Sequence, residues 1–337
     1  GFWPGGDRDG NPFVDAQTTW HVSERLRATL LRCYRREIRD LRRRITFKHV
    51  ATILDQLQDQ IEFAMLHPED GRLSVADLTS RLEEVAALVL EQSNGLYIDR
   101  VRAFLFKLRL FGLHFASMDV RQDSRVIQSA MDSVLTASGE DVHSFRSLSV
   151  QEQVDRLFTW TGSTDLEKLE VERHQDVLDS LRVMRKIQKQ NGERACHRFI
   201  ISNCRGILDV ATIYALSRAS GADEDVVLDI VPLFETIADL EHSSKEMDAM
   251  YAHPVYRKHL KHRKDRQTVM LGFSDGTKDG GYLRANWAIY QAKQALTQAS
   301  KAADVTVVFF DGRGGPPARG GGNTHRFYAS LGHDIQN

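Results

Sequence analysis

Apolar residues recur along this chain with two different rhythms. In one, they return every third or fourth position. Val22, Leu26, Leu30, Tyr34, Ile38, Leu41 and Ile45 form such a series, and Leu78, Leu82, Val85, Leu88 and Leu90 form a looser one. That spacing puts each set on one face of a helix. The other rhythm is a short apolar run, partly β-branched or aromatic, that breaks into charged and turn-forming residues. It occurs at residues 1–12, 113–123, 198–205, 228–236, 268–279 and 305–313. Such runs read as buried strands. Residues 209–217 and 285–296 read as helices leaving two of them. Residues 138–165 are largely polar and read as a surface loop region.

Strand and helix thus alternate, with charges gathered where the strands end. A parallel β/α barrel builds its active site in this way, and an open doubly wound sheet also places ligands there. Helix is too abundant for either fold in plain form. The expectation is a helix-rich α/β protein, with residues 1–337 forming a single barrel unit and a helical insertion at about 15–111.

Bulk properties narrow the function classes. The chain has 337 residues and a formal net charge of -1, which supports neither a nucleic-acid coat nor a polybasic membrane anchor. Cys33, Cys196 and Cys204 are widely spaced and contain no CxxC, which suits a reducing, cytosolic compartment. No apolar run approaches the roughly 18 residues that span a bilayer. Gly1 stands where an initiator Met would, and the chain stops soon after a glycine-rich loop. It reads as a piece of a longer protein.

The strand ends carry the candidate chemistry. Residues 269–281 run Val-Met-Leu-Gly-Phe-Ser-Asp-Gly-Thr-Lys-Asp-Gly-Gly and contain Asp275 and Lys278. Residues 309–322 contain Arg313 and Arg319 among glycines. Glycine lets backbone approach a ligand closely, and arginine forks match phosphate and carboxylate oxygens. Gly315 and Gly320 have the spacing of a phosphate-binding loop, but Gly321 stands where its lysine belongs. A dinucleotide fingerprint fails because Pro317 replaces its last glycine. Glu235 and Asp275 each close an apolar run; the spacing reads equally as the sparse carboxylate ligation that Mg²⁺ prefers or as two unrelated polar strand ends. Arg121 lies between Asp119 and Asp123, where a structural ion pair is the plainer reading. Asp7 begins a calcium-loop-like stretch, but Gly10 is misplaced and Thr18 replaces the bidentate Glu. His253, His259 and His262 sit among basic residues and read as a solvated segment. The arginine-rich run at 35–44 reads as the charged face of a buried helix.

Together these segments resemble phosphoenolpyruvate carboxylase across nearly the whole chain. Residues 5–12 are similar to the family's GGDRDGNP, 119–124 to DIRQES and 232–236 to PLFET. Residues 269–281 resemble VMxGYSDSxKDxG, and 310–315 with 318–325 resemble FHGRGG…GRGGGPTH. The resemblance implies an incomplete TIM-like barrel and a cytosolic, homo-oligomeric enzyme, tetrameric in the family. It implies that phosphoenolpyruvate and bicarbonate give oxaloacetate and phosphate, fixing carbon for the tricarboxylic acid cycle. Glu235 and Asp275 would hold Mg²⁺ (or Mn²⁺). Arg121, Arg313 and Arg319 would bind the phosphate, and Lys278 matches the signature's catalytic lysine. Phe273, Gly276, Ala318 and Asn323 depart from the pattern. Asp311 departs more sharply, standing where most members have His. The family's TAHPTE segment, with its catalytic histidine, would lie before residue 1. The expectation is that the piece alone is inactive and poorly stable. The competing reading is a non-catalytic relative that binds a phosphorylated metabolite or a partner protein.

Overall fold

The computed structural model describes residues 1–162, 169–221 and 227–312, and only the backbone of Ser274, Asp275 and Asp279. The chain divides into two compact units. One comprises residues 1–5, 17–118 and 183–197; the other holds the remainder.

The first unit contains four long helices: α1 (Ala16–Arg44, nearly all within it), α2 (Lys48–Leu66), α3 (Val75–Ser93) and α4 (Ile98–Phe111). Leu30, Tyr34, Ile38, Leu41 and Ile45 of the first apolar series are buried, and Leu54, Leu57 and Ile61 of α2 join the same core. The arginines between Leu30 and Ile45 are exposed or half-buried, as their position off the apolar stripe requires, whereas Arg27 is buried. In α3 the buried positions are Leu78, Leu82, Val85 and Val89. Leu90, expected in that stripe, is instead 49% exposed. The steps of four, three and four residues explain why the second series looked loose: Val89 continues the helical face and Leu90 does not. Ser74 caps α3 by accepting a hydrogen bond from the Asp77 backbone N–H.

The second unit holds nearly all of the sheet. Its strands are β1 (Met118–Asp123), β2 (Cys196–Ser202), β3 (Asp229–Phe234), β4 (Arg266–Gly272) and β5 (Thr306–Gly312). They lie in the order β1-β2-β3-β4-β5. The pairs β2–β3, β3–β4 and β4–β5 are parallel. The order follows the chain, whereas a doubly wound sheet reverses at its switch point. Helices α5 (Ser124–Ala137), α9 (Ile207–Ala219), α10 (Ile237–Ala252) and α12 (Ser274–Ala302) each leave the end of a strand, while α8 (Glu172–Asn191) and α11 (Pro254–His262) precede β2 and β4. The parallel connections therefore bring the carboxyl ends of successive strands to one edge.

Two expectations are corrected. Residues 1–12 do not form a full strand; they meet β1 only through parallel bridges at Phe2–Met118 and Asp7–Arg121. A turn at residues 4–6 separates the bridges, with Gly5 at φ +80° and no room for a Cβ beside Val22. Residues 138–165 are not simply a loop. They contain α6 (Val142–Ser147) and α7 (Val150–Thr159). Asp141 and Ser149 are N-caps, and Glu152 completes a capping box. Much of the polarity thus marks helix starts, while Phe145, Val154, Leu157 and Phe158 are buried.

Candidate active site

Arg121 lies in β1 and is held by the segment beside it. Its Nε and Nη2 donate to the two carboxylate oxygens of Asp7 at 2.7 and 2.8 Å. Asp9 approaches Nη1 at 3.6 Å. The backbone reinforces this register, because Arg121 N donates to Gly6 O and Arg8 N to Arg121 O. The acidic neighbours in sequence have other work. Asp119 binds Arg198 of β2 at 2.6 Å, and Asp123 caps α5 and binds Arg125. Arg121 is therefore ion-paired, but to Asp7 and Asp9. Burial opposes its charge, yet the Asp7 hydrogen bonds and the fields of Asp7, Asp9 and Glu235 outweigh burial and raise its pKa.

Glu235 follows β3 directly. Its Oε2 accepts the backbone N–H of Asn203 at 2.7 Å. Asn203 follows β2 at φ +51°, and its carbonyl accepts the Ser124 hydroxyl at 2.7 Å from the start of α5. Three strand ends are thus tied together, with Glu235 in the field of Arg121. Gly272 closes β4 on the next side. A Cβ there would lie 3.0 Å from Glu235 Cα and 3.2 Å from its Cγ, so only glycine lets the two strand ends approach this closely. Thr236 and Asp239 then form a capping box that starts α10 immediately after Glu235.

Lys278 is exposed in the early part of α12, just beyond β4. Asp275 has its backbone in the first turn of that helix, while its side chain lies outside the described residues. Arg313 and Arg319 lie outside them altogether. The carboxylate of Glu235 is a hard oxygen donor that suits Mg²⁺. Among the described residues no cluster of three or more His, Cys, Asp or Glu side chains forms a cage.

Asp311 has a partner that the sequence reading missed. Lys293 of α12 is 1% exposed, and its Nζ lies 2.9 and 3.0 Å from the two Asp311 oxygens. Position 293 follows Ile289 by four residues and precedes Leu296 by three, both buried. A lysine on that stripe was the available signal. Asp7, Asp9 and Asn203 were missed as partners because each acts on a residue distant in sequence.

The histidines at 253 and 259 are not solvated, contrary to the sequence expectation. His253 stacks on Phe158 with ring centroids 4.4 Å apart, and His259 meets Tyr214 edge-on at 5.8 Å. Both are buried, whereas His262 is exposed. Their aromatic partners come from α7 and α9, which local sequence does not reveal.

The fold and site define a class: a helix-rich α/β protein with ionised side chains at the carboxyl edge of a parallel sheet in chain order. The chain belongs to the phosphoenolpyruvate carboxylase family, whose model matches residues 1–71 and 65–331. It is 32% identical over 369 residues to the phosphoenolpyruvate carboxylase of Xanthomonas euvesicatoria pv. vesicatoria, covering 97% of this chain and 40% of that protein. The enzymes of the same name from Nitrosomonas eutropha and Gloeobacter violaceus are 28% and 26% identical, with 97% of this chain matched in each case. The chain spans about two fifths of the length of these relatives.

Proposed function

We propose that the protein carrying this chain joins phosphoenolpyruvate and bicarbonate to give oxaloacetate and phosphate. The observation that carries this reading is the cluster at the strand ends, with Glu235 held by Asn203 in the field of the fixed Arg121. These residues belong to the segments that resemble PLFET and DIRQES. The proposal includes a TIM-like barrel, of which β1–β5 would form consecutive wall strands.

Glu235 and Asp275 would hold Mg²⁺ (or Mn²⁺), which supplies a Lewis acid to phosphoryl and enolate oxygens when bound. Arg121, Arg313 and Arg319 would bind the phosphoryl group. Asp7 orients the Arg121 guanidinium from one side, so no reorganisation is needed as charge moves. A bicarbonate oxygen attacks phosphorus, and the bond from phosphorus to the enol oxygen breaks. The pyruvate enolate and carboxyphosphate result. Carboxyphosphate divides into carbon dioxide and phosphate, and the enolate carbon adds to the carbon dioxide. Lys278 would offset the negative charge of these species. Keeping water out would protect the enolate from protonation.

In this role the protein would be a cytosolic homo-oligomer that feeds the tricarboxylic acid cycle. No helix among the described residues is long and apolar enough to cross a membrane. Asp311 motivated the competing, non-catalytic reading. Its charge is countered by Lys293, which weakens that motive. The test is labelled bicarbonate with the purified full-length protein. Label entering oxaloacetate, phosphate released in equal amount, and a loss of about a hundredfold or more in Arg319→Ala are expected. Residues 1–337 alone are expected to form no oxaloacetate. A full-length protein that binds phosphoenolpyruvate without incorporating label would be the non-catalytic relative.

A further inference from the structure

The helical unit contains a half-open cavity of about 390 Å³ between α1, α2 and residues 67–77. Arg27 of α1 lines it and is only 3% exposed. Among the described residues, no carboxylate lies within ion-pairing distance of this guanidinium. Its Nη1 makes two long hydrogen bonds of 3.4 Å to the carbonyls of Ala64 and Pro68. Its Nε has no acceptor, and the nearby cavity-lining Gln60 Oε1 has no donor. A buried cation without a counter-charge is costly, and buried polar groups are normally satisfied. The unpartnered Arg27 Nε–H calls for an anionic acceptor that arrives with a ligand.

The walls restrict what that ligand is. Phe63, Ala64 and Leu73 present apolar surface. The Phe63 ring is flanked by Arg72, 4.8 Å from its centroid, and by the His67 ring at 4.5 Å. Arg72 is already paired with Asp70. Asp59 and Asp77 also line the cavity, so a second negative charge on the ligand is disfavoured. We propose that this cavity binds a small organic monocarboxylate, its carboxylate on Arg27 and its apolar body against Phe63 and Leu73. An arginine fork accepts a carboxylate in this manner. Burial lowers the Arg27 pKa, with the field of Glu24 opposing that shift, and a bound carboxylate would relieve the burial effect. The site is independent of the strand-end cluster and of the reaction proposed for it.

Benzoate and hexanoate are suitable probes, titrated into the purified protein and followed by calorimetry and by the melting temperature. Both are expected to bind. Neutral benzamide and dianionic phenyl phosphate are expected to bind at least about tenfold more weakly than benzoate. Arg27→Gln is expected to lose about tenfold or more in benzoate affinity, while Arg27→Lys loses less. Benzoate should raise the melting temperature of the parent protein but not that of Arg27→Gln. Failure of both probes to bind, equal binding of benzamide, or unchanged affinity in Arg27→Gln would overturn the proposal. If Arg27→Gln does not fold, Phe63→Ala and Leu73→Ala decide the matter. Each is expected to weaken benzoate about fivefold, and unchanged affinity in both rejects the site.

Discussion

Lys293 and Asp311 show how one departure from a family pattern is accommodated. An aspartate in place of histidine at the end of β5 introduces a negative charge. A lysine almost wholly enclosed in α12 meets it at 2.9 Å, and the carboxylate itself is 13% exposed. Neither ion is well solvated, so each depends on the other. Lys293→Met is expected to destabilise the protein by about 3–5 kcal/mol, because it leaves a buried carboxylate unpaired. Adding Asp311→Leu should recover most of that loss. Urea unfolding of the two single variants and the double variant measures the coupling, and additive losses would show that the pair is not a unit. Arg121 has the same dependence on Asp7. The chain displays both residues openly, but their pairing spans 114 positions. Local charge pattern pointed to Asp119 and Asp123 instead.

Between the strands and the helices that follow them, small residues set the geometry. Gly272 lets β4 end against the backbone of Glu235, and Gly312 ends β5 where a Cβ would meet Leu271 O at 3.0 Å. The register pairs these glycines directly. Gly272→Ala is expected to displace Glu235 or the end of β4 and to cost about 1–3 kcal/mol. If Glu235 serves the proposed metal, activity of the full-length protein should fall more than stability does. A Gly272→Ala protein with unchanged melting temperature would show that the strand ends have slack. The strands themselves were legible, since each expected apolar run from residue 113 onward overlaps one, with β2 and β4 starting two residues earlier than expected. Their charged ends were legible too. The contact between Gly272 and Glu235 was not, because it depends on the register of β3 against β4.

At the scale of the whole molecule, each compact unit encloses a histidine that is held neutral. Burial is the first cause at His114 in the helical unit, with Arg194 and His197 adding to it, and the pKa falls to about 4. Burial also lowers His259 in the sheet unit to about 4, helped by Arg263 and His262. In the unfolded chain each would titrate near its ordinary value of about 6.5. Above that pH neither state gains a proton, and the full stability is present. As pH falls from about 6.5 towards 4, the unfolded state takes up protons that the folded state refuses, and stability drops. Each group is expected to withdraw roughly 3 kcal/mol when the window has been crossed. Urea midpoints between pH 7 and 5, before most carboxylates titrate, isolate this effect. His259→Gln should flatten part of the slope, and a flat profile in the parent protein would reject the account.

Periodicity, strand-end grammar and motif order were enough, in the sequence alone, to place the helices around 22–45, 78–90, 209–217 and 285–296, to locate five strands and to point to the family. These are properties of neighbouring residues, and helix and strand periods write them into the chain directly. Tertiary structure alone decided which ions pair, which histidines are enclosed and where Arg27 lies with no ion-paired carboxylate among the described residues. It also turned much of the polar stretch at 138–165 into two capped helices over a buried face. The reason is physical: burial and ion pairing depend on what a distant segment brings to the contact, and the local hydrophobic pattern carries no record of that partner.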